Sequence, residues 1–233
     1  MKLEQGMILA AGFGKRMMPL TQKTPKPLIK IGNTTLLENS IAVLKEFGIK
    51  RIVVNTHHLS EKIENYISSK NFDLDIKIVK EKNIILDTGG GILNAINNFG
   101  EKPFIVLNPD TIWNKKYISE FENLEKTYFD KKEAVLLLVN KNKSFDKSFS
   151  GDFNLSSFGL VTKDNINQMI YTGAQIVSKK IFNKKIVKPF SMNEIWNNLI
   201  DKKSLYGFES NQEFLHINSK EIYQKLIKQK FTY

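Results

Sequence analysis

The sequence has no cysteine, and it has no apolar run that approaches the roughly 20 residues needed to span a bilayer. Without cysteine, a disulfide scaffold, a cysteine-based zinc ribbon and a thiol nucleophile are all excluded. The first residues, Met1 to Gln5, contain no apolar segment long enough for a secretory signal. We therefore expect a soluble, cytoplasmic protein with no membrane partner.

The length and the hydrophobic content are those of a folded globular chain. With 233 residues, 41% of them hydrophobic, the chain can bury a sizeable core, which excludes intrinsic disorder. The residue pattern changes after about Val139, but no linker rich in proline, glycine or serine separates the two parts. We expect one domain over residues 1–233, with a first half at 1–139 and a second at 140–233.

The net charge of +11 suits a polyanionic partner, but most of the lysines are scattered in pairs, often beside acidic residues. These pairs form no basic stripe with interleaved aromatic residues, so we expect no nucleic acid partner. One stretch differs, because no acidic residue occurs between Glu4 and Glu38 while five cations do: Lys15, Arg16, Lys23, Lys26 and Lys30. This stretch predicts a local anion site.

Short apolar runs alternate with helical patterns along the first half. We predict strands at 7–10, 52–55, 76–79, 104–107 and 134–139. Thr35 and Glu38 form a capping box for a helix that ends near Gly48, Ser60 caps a second helix, and Gly91 opens a third. In the second half we expect strands at 160–161, 170–171, 175–177 and 205–206, with helices at 192–200 and 219–230. The alternation predicts an α/β fold: a Rossmann-like, mostly parallel sheet with helices on both faces.

A glycine-rich loop follows the first predicted strand, with Gly12 and Gly14 in a Gly-x-Gly arrangement. Met17 stands where a dinucleotide fingerprint needs a third small residue, and Leu9 and Arg16 occupy positions that a P-loop reserves for other residues. The loop is therefore either an ordinary tight turn or a different kind of phosphate site. The neighbouring cations favour the phosphate site.

Two prolines flank Lys26 in the sequence Pro25-Lys26-Pro27-Leu28. Proline fixes its own φ and restricts the residue before it, so the lysine ammonium should be presented on a stiff backbone. Taken alone, the segment would be better interpreted as an exposed polyproline-like loop.

Together these segments resemble the signature of the sugar-1-phosphate nucleotidyltransferases, also called nucleoside-diphosphate-sugar pyrophosphorylases. The run from Leu9 to Leu28 fills their pattern L-A-A-G-x-G-x-R-M-x-P-L-T followed by P-K-P-L. Asp87 to Ile92 is similar to the E-T-G-G-G-I of N-acetylmuramate α-1-phosphate uridylyltransferases. Further segments resemble family motifs along the rest of the chain: Asn55 to Leu59, Asn108 to Asp110, Gly151 to Phe153, Thr172-Gly173 and Phe214 to Ser219.

The resemblance implies an enzyme that joins a nucleoside triphosphate to a sugar-1-phosphate and releases pyrophosphate, with residues 1–139 binding the nucleotide and 140–233 the sugar. It implies that Arg16 and Lys26 are catalytic and that Asp110 and His216 hold Mg²⁺. The implied nucleotide-binding residues are Ala10, Ala11, Gly12, Gly14, Thr88, Gly89 and Asn108, and Asp152 and Gly173 would face the sugar. By the same resemblance the expected substrates are UTP and N-acetylmuramate α-1-phosphate, in a cell-wall recycling step. We expect the protein to be a monomer or a small homo-oligomer.

The sequence departs from the family pattern at two positions near the expected metal. Pro109 replaces a glycine beside Asp110, and His216 stands where the family has its second metal-binding aspartate. These departures keep open a nucleotide-sugar-binding regulatory protein with a decayed metal site. Among enzymes, the alternatives are mannose-1-phosphate guanylyltransferase or another hexose-1-phosphate enzyme, and less favoured is a phosphocholine cytidylyltransferase.

Overall fold

A computed structural model describes residues 2–228. Eleven strands lie in this part of the chain: β1 Gln5–Leu9, β2 Lys30–Ile31, β3 Thr34–Thr35, β4 Arg51–Thr56, β5 Asp75–Lys80, β6 Phe104–Leu107, β7 Val135–Asn140, β8 Asn154–Leu155, β9 Val161–Thr162, β10 Met169–Val177 and β11 Tyr206–Ser210. The α-helices are α1 Leu36–Phe47, α2 Ser60–Ser68, α3 Asp87–Ala95, α4 Tyr117–Lys131, α5 Met192–Asp201 and α6 Lys220–Lys228.

Seven strands form the central sheet, in the order β11-β7-β10-β6-β1-β4-β5. Strand β10 is antiparallel to both of its neighbours, and the other pairs are parallel. Successive residues of β1 enter the cores on opposite faces of the sheet. Ile8 packs with residues of α1, α2 and α4, whereas Met7 packs with residues of α3 and α5. The expected α/β fold, with a mostly parallel sheet covered on both faces, is therefore confirmed.

The sheet order brings three strand ends together. Strands β6, β1 and β4 are adjacent and parallel, and each is followed by polar or glycine-containing sequence. In open α/β sheets, ligands bind outside the carboxyl ends of the strands. The edge formed by these three ends is thus the expected place for a functional site.

Helix α1 follows the sequence closely. The Thr35 side chain accepts from the Glu38 amide and the Glu38 side chain accepts from the Thr35 amide, at 3.1 and 2.9 Å, which completes the predicted capping box. Gly48 ends the helix with φ of 106°, a left-handed conformation that glycine adopts without the Cβ penalty. Both predicted signals of this helix are confirmed.

Three other local predictions are wrong. Leu59, with φ of 53°, is the cap residue of α2, and Ser60 is its first helical residue, with no side-chain cap bond. Helix α3 begins at Asp87, so the glycine run lies inside it instead of opening it at Gly91. The two strands predicted at 170–171 and 175–177 are one strand, β10, whose pairing with β7 shifts register between Tyr171 and Gln175.

Within residues 2–228, no helix is both long enough and apolar enough to cross a membrane. The predicted helix at 219–230 corresponds to α6, which starts one residue later, and residues 229 and 230 lie outside the described part of the chain.

Candidate active site

A cleft of about 310 Å³ opens at the carboxyl ends of β6, β1 and β4. Most of the residues predicted to act on a nucleotide line it: Ala10, Ala11, Gly12, Gly14, Arg16, Lys26, Thr88, Asn108 and Asp110. Other lining residues include Asn55, Ile85, Asp87, Pro109 and Asn218. Segments far apart in sequence thus meet at the expected edge of the sheet.

In the glycine loop after β1, Gly14 is tightly packed against the protein, whereas Gly12 is open. Gly14 has φ of 63°, and a Cβ there would lie 2.8 Å from Thr21 Cγ2 and 3.2 Å from Lys26 Cβ. The Thr21 hydroxyl donates to the Gly14 carbonyl at 2.9 Å, which holds the turn. A Cβ on Gly12, by contrast, would meet no atom of residues 2–228 within 4 Å, its two neighbours in the chain aside. The backbone at Gly12 is therefore open to a ligand.

Lys26 is held against Asp110 at the start of a short turn, and not on the extended backbone that its flanking prolines favour. The turn spans Lys26–Leu28, and the Leu28 amide donates to the Pro25 carbonyl at 2.8 Å. Lys26 Nζ lies 2.6 Å from Asp110 Oδ2, and only 15% of the lysine side chain is exposed. Because this pair is largely desolvated, its charges interact more strongly than a surface pair would.

His216, in the segment that follows β11, approaches the same carboxylate oxygen of Asp110. Its Nε2 lies 3.2 Å from Asp110 Oδ2, and the amide of the next residue, Ile217, donates to the Asp110 carbonyl at 2.8 Å. The imidazole stacks on Phe214 with ring centroids 5.5 Å apart and planes 10° apart. The histidine is thus fixed by its aromatic neighbour as well as by the carboxylate.

The pKa of Asp110 reflects this crowded setting. Burial acts to raise that pKa, but the charges of Lys26 and His216 outweigh it and hold the pKa well below its usual range. Asp110 therefore remains a carboxylate throughout the pH range in which proteins work.

Two side-chain oxygens in the cleft region have no hydrogen-bond donor within the described residues. Asp110 Oδ1 and Asn218 Oδ1 are both buried, and neither has a hydrogen-bond partner among residues 2–228. The amide nitrogen of Asn218 donates to Asp146 Oδ2 at 2.7 Å, which leaves only its oxygen available. Such oxygens are the ligands that a hard divalent cation prefers.

The start of α3 forms a second wall of the cleft, beside the glycine loop in the lining. Asp87 and Thr88 line the cleft, and the Thr88 hydroxyl accepts from the Met192 amide at 2.9 Å, which ties α3 to the start of α5. Gly89 is buried and packs on Phe190, whose ring would lie 2.3 Å from a Cβ at this position. Gly89 therefore serves close packing behind the wall, and it does not itself line the cleft.

The residues predicted to face the sugar lie beyond the cleft-lining set. Gly173, with φ of 94°, packs against Asn108, and its carbonyl accepts from the Asn108 amide at 2.8 Å. Asp152 is exposed, and its carboxylate accepts from the Tyr171 amide at 2.9 Å. Gly173 thus adjoins the cleft through Asn108, whereas Asp152 acts on the backbone of β10.

Sequence reasoning gave no role to Asn55, Glu81, Asp146 or Asn218, although they surround the site. Asn55 did carry a signal, because a polar residue near the end of an otherwise apolar strand points toward the site edge. Glu81 carried the same kind of signal, since it directly follows β5. Asp146 lies in a loop far from the other site residues in sequence, and only the folded chain reveals its contact with Asn218.

Several known proteins are similar to this chain in sequence. The nucleotidyl transferase family model matches residues 5–151. N-acetylmuramate alpha-1-phosphate uridylyltransferase of Caulobacter vibrioides is 29% identical over 218 residues, covering 91% of this chain and 90% of that protein. D-glycero-alpha-D-manno-heptose 1-phosphate guanylyltransferase of Aneurinibacillus thermoaerophilus is 26% identical, with 97% of each chain covered.

The fold has a close counterpart among solved structures. A UDP-glucose pyrophosphorylase crystallised with UDP-glucose superposes with a TM-score of 0.80 at 16% identity, over 97% of each chain. The matched family, the relatives and the cleft together lead to one assignment. The chain belongs to the nucleotidyl transferase family, and within it to the sugar-1-phosphate nucleotidyltransferases, enzymes that form a nucleoside-diphosphate sugar from a nucleoside triphosphate and a sugar-1-phosphate.

Proposed function

We propose that this enzyme transfers a uridylyl group from UTP to N-acetylmuramate α-1-phosphate, giving UDP-N-acetylmuramate and pyrophosphate. The observation that carries the choice of substrates is the 29% identity to the Caulobacter uridylyltransferase over nearly the whole of both chains. The sequence from Asp87 to Ile92, whose first two residues line the cleft, supports the same choice.

The glycine loop and two cations are suited to the triphosphate. The open backbone at Gly12 lets amide groups approach phosphate oxygens, and Ala10, Ala11 and Gly14 extend the same surface. Arg16, which also lines the cleft, would neutralise the β- and γ-phosphates and the departing pyrophosphate. Lys26 also lines the cleft, with its side chain only 15% exposed, and its ammonium would meet the α-phosphate and the incoming sugar phosphate.

The reaction needs no covalent intermediate with the protein. A phosphate oxygen of the sugar-1-phosphate attacks the α-phosphorus in line and forms a new P–O bond. The bond between the α-phosphorus and the oxygen that bridges it to the β-phosphorus breaks. The electron pair of that bond leaves with pyrophosphate. The residues of the cleft hold the two phosphates close together and offset their negative charge, which is where most of the acceleration of such reactions arises.

The side chains present fit a magnesium ion. Asp110 is ionised. Its Oδ1 and the Oδ1 of Asn218 are both buried and have no hydrogen-bond partner within residues 2–228. No cluster of three or more His, Cys, Asp or Glu side chains able to hold a metal occurs in that range, so substrate phosphates would complete the coordination. When bound, the ion supplies charge neutralisation at the triphosphate. His216 is a poorer ligand for Mg²⁺ than an oxygen, and its Nε2 already faces Asp110.

The sugar-binding assignments rest on the region next to Asn108. Gly173 and Asp152 contact the backbone of β10 or its neighbour Asn108, and the hydroxyl of Tyr171, on the same strand, is buried with no partner among the described residues. An unpaired buried hydroxyl costs stability unless something else satisfies it. A sugar hydroxyl or the lactyl carboxylate of N-acetylmuramate would be suitable partners for this segment.

A guanylyltransferase acting on a hexose- or heptose-1-phosphate is the second candidate. The relative from Aneurinibacillus favours it, because the similarity covers 97% of both chains, although at the lower identity of 26%. The candidate from a different functional class is a regulatory protein that binds nucleotide sugars without turnover. Pro109 and His216 favour it, because both depart from the family pattern near the expected metal site.

The substrates are tested by pyrophosphate release from a panel of UTP, dTTP, CTP and GTP, each combined with N-acetylmuramate, glucose, mannose and heptose 1-phosphates in the presence of Mg²⁺. We expect the highest kcat/KM for UTP with N-acetylmuramate α-1-phosphate. The Lys26→Ala variant, purified in parallel, measures the activity of any contaminating enzyme. A preference for GTP with a mannose or heptose phosphate would replace the proposal with the second candidate.

A further inference from the structure

Glu81 directly follows β5 and is almost completely buried, with 4% of its surface exposed. Both of its carboxylate oxygens accept hydrogen bonds from groups near the cleft. Oε1 accepts from Asn55 Nδ2 at 2.7 Å, and Oε2 accepts from the Leu86 amide at 2.7 Å. A buried carboxylate is costly unless such donors satisfy it, so this arrangement calls for an explanation.

The first of these bonds leads to the glycine loop. Asn55 is 2% exposed, and its Oδ1 accepts from the Ala10 amide at 2.9 Å. Ala10 is the first residue after β1 and lines the cleft. The Glu81 carboxylate therefore fixes the orientation of the Asn55 amide, and that amide fixes the start of the loop.

The second bond leads to the wall formed by the start of α3. Leu86 immediately precedes α3, whose first residues, Asp87 and Thr88, line the cleft. The glycine at position 91 in the same helix makes room for the pair, because a Cβ there would lie 2.7 Å from Asn55 Nδ2 and 2.8 Å from Glu81 Oε1. One carboxylate is thus bonded, directly or through one amide, to both walls of the nucleotide half of the cleft.

We propose that Glu81 is a positioning residue for the nucleoside triphosphate: through Asn55 and Leu86 it sets the separation of the Ala10 loop from the start of α3. The inference rests on the proposed function in one respect, namely that these two walls hold the nucleotide. Glu81 does not line the cleft, so it acts on the substrate only through its two partners.

The donor and acceptor pattern explains why a carboxylate is needed. Glu81 faces two N–H donors, and only a group with two accepting oxygens satisfies both. Glutamine would turn an N–H toward either Asn55 or Leu86. If Asn55 then reversed its amide, its NH₂ would face the Ala10 amide. Every arrangement of Glu81→Gln alone therefore leaves one donor opposed to another.

The same pattern defines a rescuing variant. In the double variant Glu81→Gln with Asn55→Asp, one oxygen at position 55 accepts from Ala10 and the other accepts from the new amide at position 81. The remaining oxygen at position 81 still accepts from Leu86. All donors are satisfied again and the total charge is that of the wild type, whereas Asn55→Asp alone sets two carboxylates against each other.

The test compares the wild type, both single variants and the double variant, using whichever NTP and sugar-1-phosphate the wild type turns over best. KM for each substrate, kcat, the Kd of the NTP and the thermal midpoint are measured. We expect each single variant to raise the KM and Kd for the NTP by roughly 10-fold, the scale of one unsatisfied buried donor, and to change KM for the sugar phosphate less than about 2-fold. The double variant should return within about 3-fold of the wild type.

Glu64→Gln is the matched control, since Glu64 pairs with Lys80 at 2.8 Å near the end of β5 but makes no contact with the cleft. Its KM values should equal those of the wild type. The proposal is overturned if Glu81→Gln leaves NTP affinity unchanged, if both KM values move together, or if the double variant is no better than the single ones. If the single variants do not fold, a folded and active double variant supports the proposal and an unfolded one overturns it. Wild-type inactivity on every substrate pair would instead refute the proposed function.

Discussion

Lys26 Nζ lies 2.6 Å from Asp110 Oδ2, so the cation proposed for phosphate and the carboxylate proposed for the metal neutralise each other in the free cleft. A triphosphate with its metal ion offers each member of the pair a new partner of opposite charge. The pair thus keeps both groups oriented, and it prevents an uncompensated charge in a largely desolvated site.

The cations of the acid-free stretch should differ sharply in importance. We expect Arg16→Ala and Lys26→Ala each to lower kcat/KM by roughly 10²-fold or more, the scale of a charge contact made in the transition state. Lys23 and Lys30 are exposed and do not line the cleft, so Lys23→Ala and Lys30→Ala are the matched controls and should have mild effects. Steady-state kinetics of the four variants measures the difference. Equal losses in all four would mean that only the general positive field matters.

Gly12→Ala should weaken NTP binding without lowering the stability of the fold. The added methyl group meets nothing within 4 Å in the described chain beyond its two chain neighbours. The thermal midpoint should therefore stay within about 2 °C of the wild type, since small surface changes cost little. The methyl group would, however, occupy space that the phosphates need, so we expect KM for the NTP to rise by roughly 10-fold or more. An unchanged KM would show that the triphosphate does not approach the loop at Gly12.

His216→Asp should improve the metal site. Mg²⁺ prefers oxygen ligands, so a second carboxylate near Asp110 should lower the half-saturating Mg²⁺ concentration for turnover. The same change should make Mg²⁺ raise the thermal midpoint of the variant more than that of the wild type, because two facing carboxylates repel each other until a cation binds. If neither the activity curve nor the midpoint responds differently to Mg²⁺, His216 is a structural residue held by Phe214.

The capping box of α1 should make a pH-dependent contribution to stability. Burial acts to raise the pKa of Glu38, but hydrogen bonds from Lys70, from Tyr66 and from the Thr35 amide outweigh it and lower that pKa. A carboxyl with a lowered pKa stabilises the fold above its unfolded pKa of about 4.3, and this contribution is lost as the pH falls through the folded value. Glu38→Gln should therefore lower the thermal midpoint at pH 7, and the difference should shrink as the pH falls below about 5.

Denaturation of wild type and Glu38→Gln at pH 7, 5, 4 and 3 measures this effect. Glu122→Gln, which removes an exposed carboxylate from α4, is the control for the loss of one negative charge on a helix surface. A difference between wild type and Glu38→Gln that is constant from pH 7 to pH 3 would contradict the assignment of the effect to the ionised carboxylate.

Local signals were read correctly wherever a single short-range interaction decides the structure. The capping box at Thr35 and the glycine at position 48 are of this kind. The wrong predictions arose where tertiary packing decides. Helix α3 tolerates its glycine run because Gly89 and Gly90 pack against Phe190 and the Lys188 carbonyl, contacts about 100 residues away in the chain.

The candidate site was predictable to the extent that sequence motifs carry it. The segments around Gly12, Lys26 and Asp110 meet in one cleft, as the motifs required. The network from Glu81 through Asn55 to Ala10 was not predictable, because no spacing in the sequence indicates which strand end faces which loop. Such contacts follow from the order of the strands, which the sequence pattern leaves open.

The most direct test of the central claim is the dependence of pyrophosphate release on its three components. Purified enzyme is assayed with UTP, N-acetylmuramate α-1-phosphate and Mg²⁺, then with each component omitted in turn, and the nucleotide sugar is quantified alongside. Direct transfer predicts one pyrophosphate for each UDP-sugar formed, and none when any one component is missing. Tight binding of nucleotide sugars without release of pyrophosphate from any NTP and sugar-1-phosphate pair would contradict the account and identify a regulatory protein.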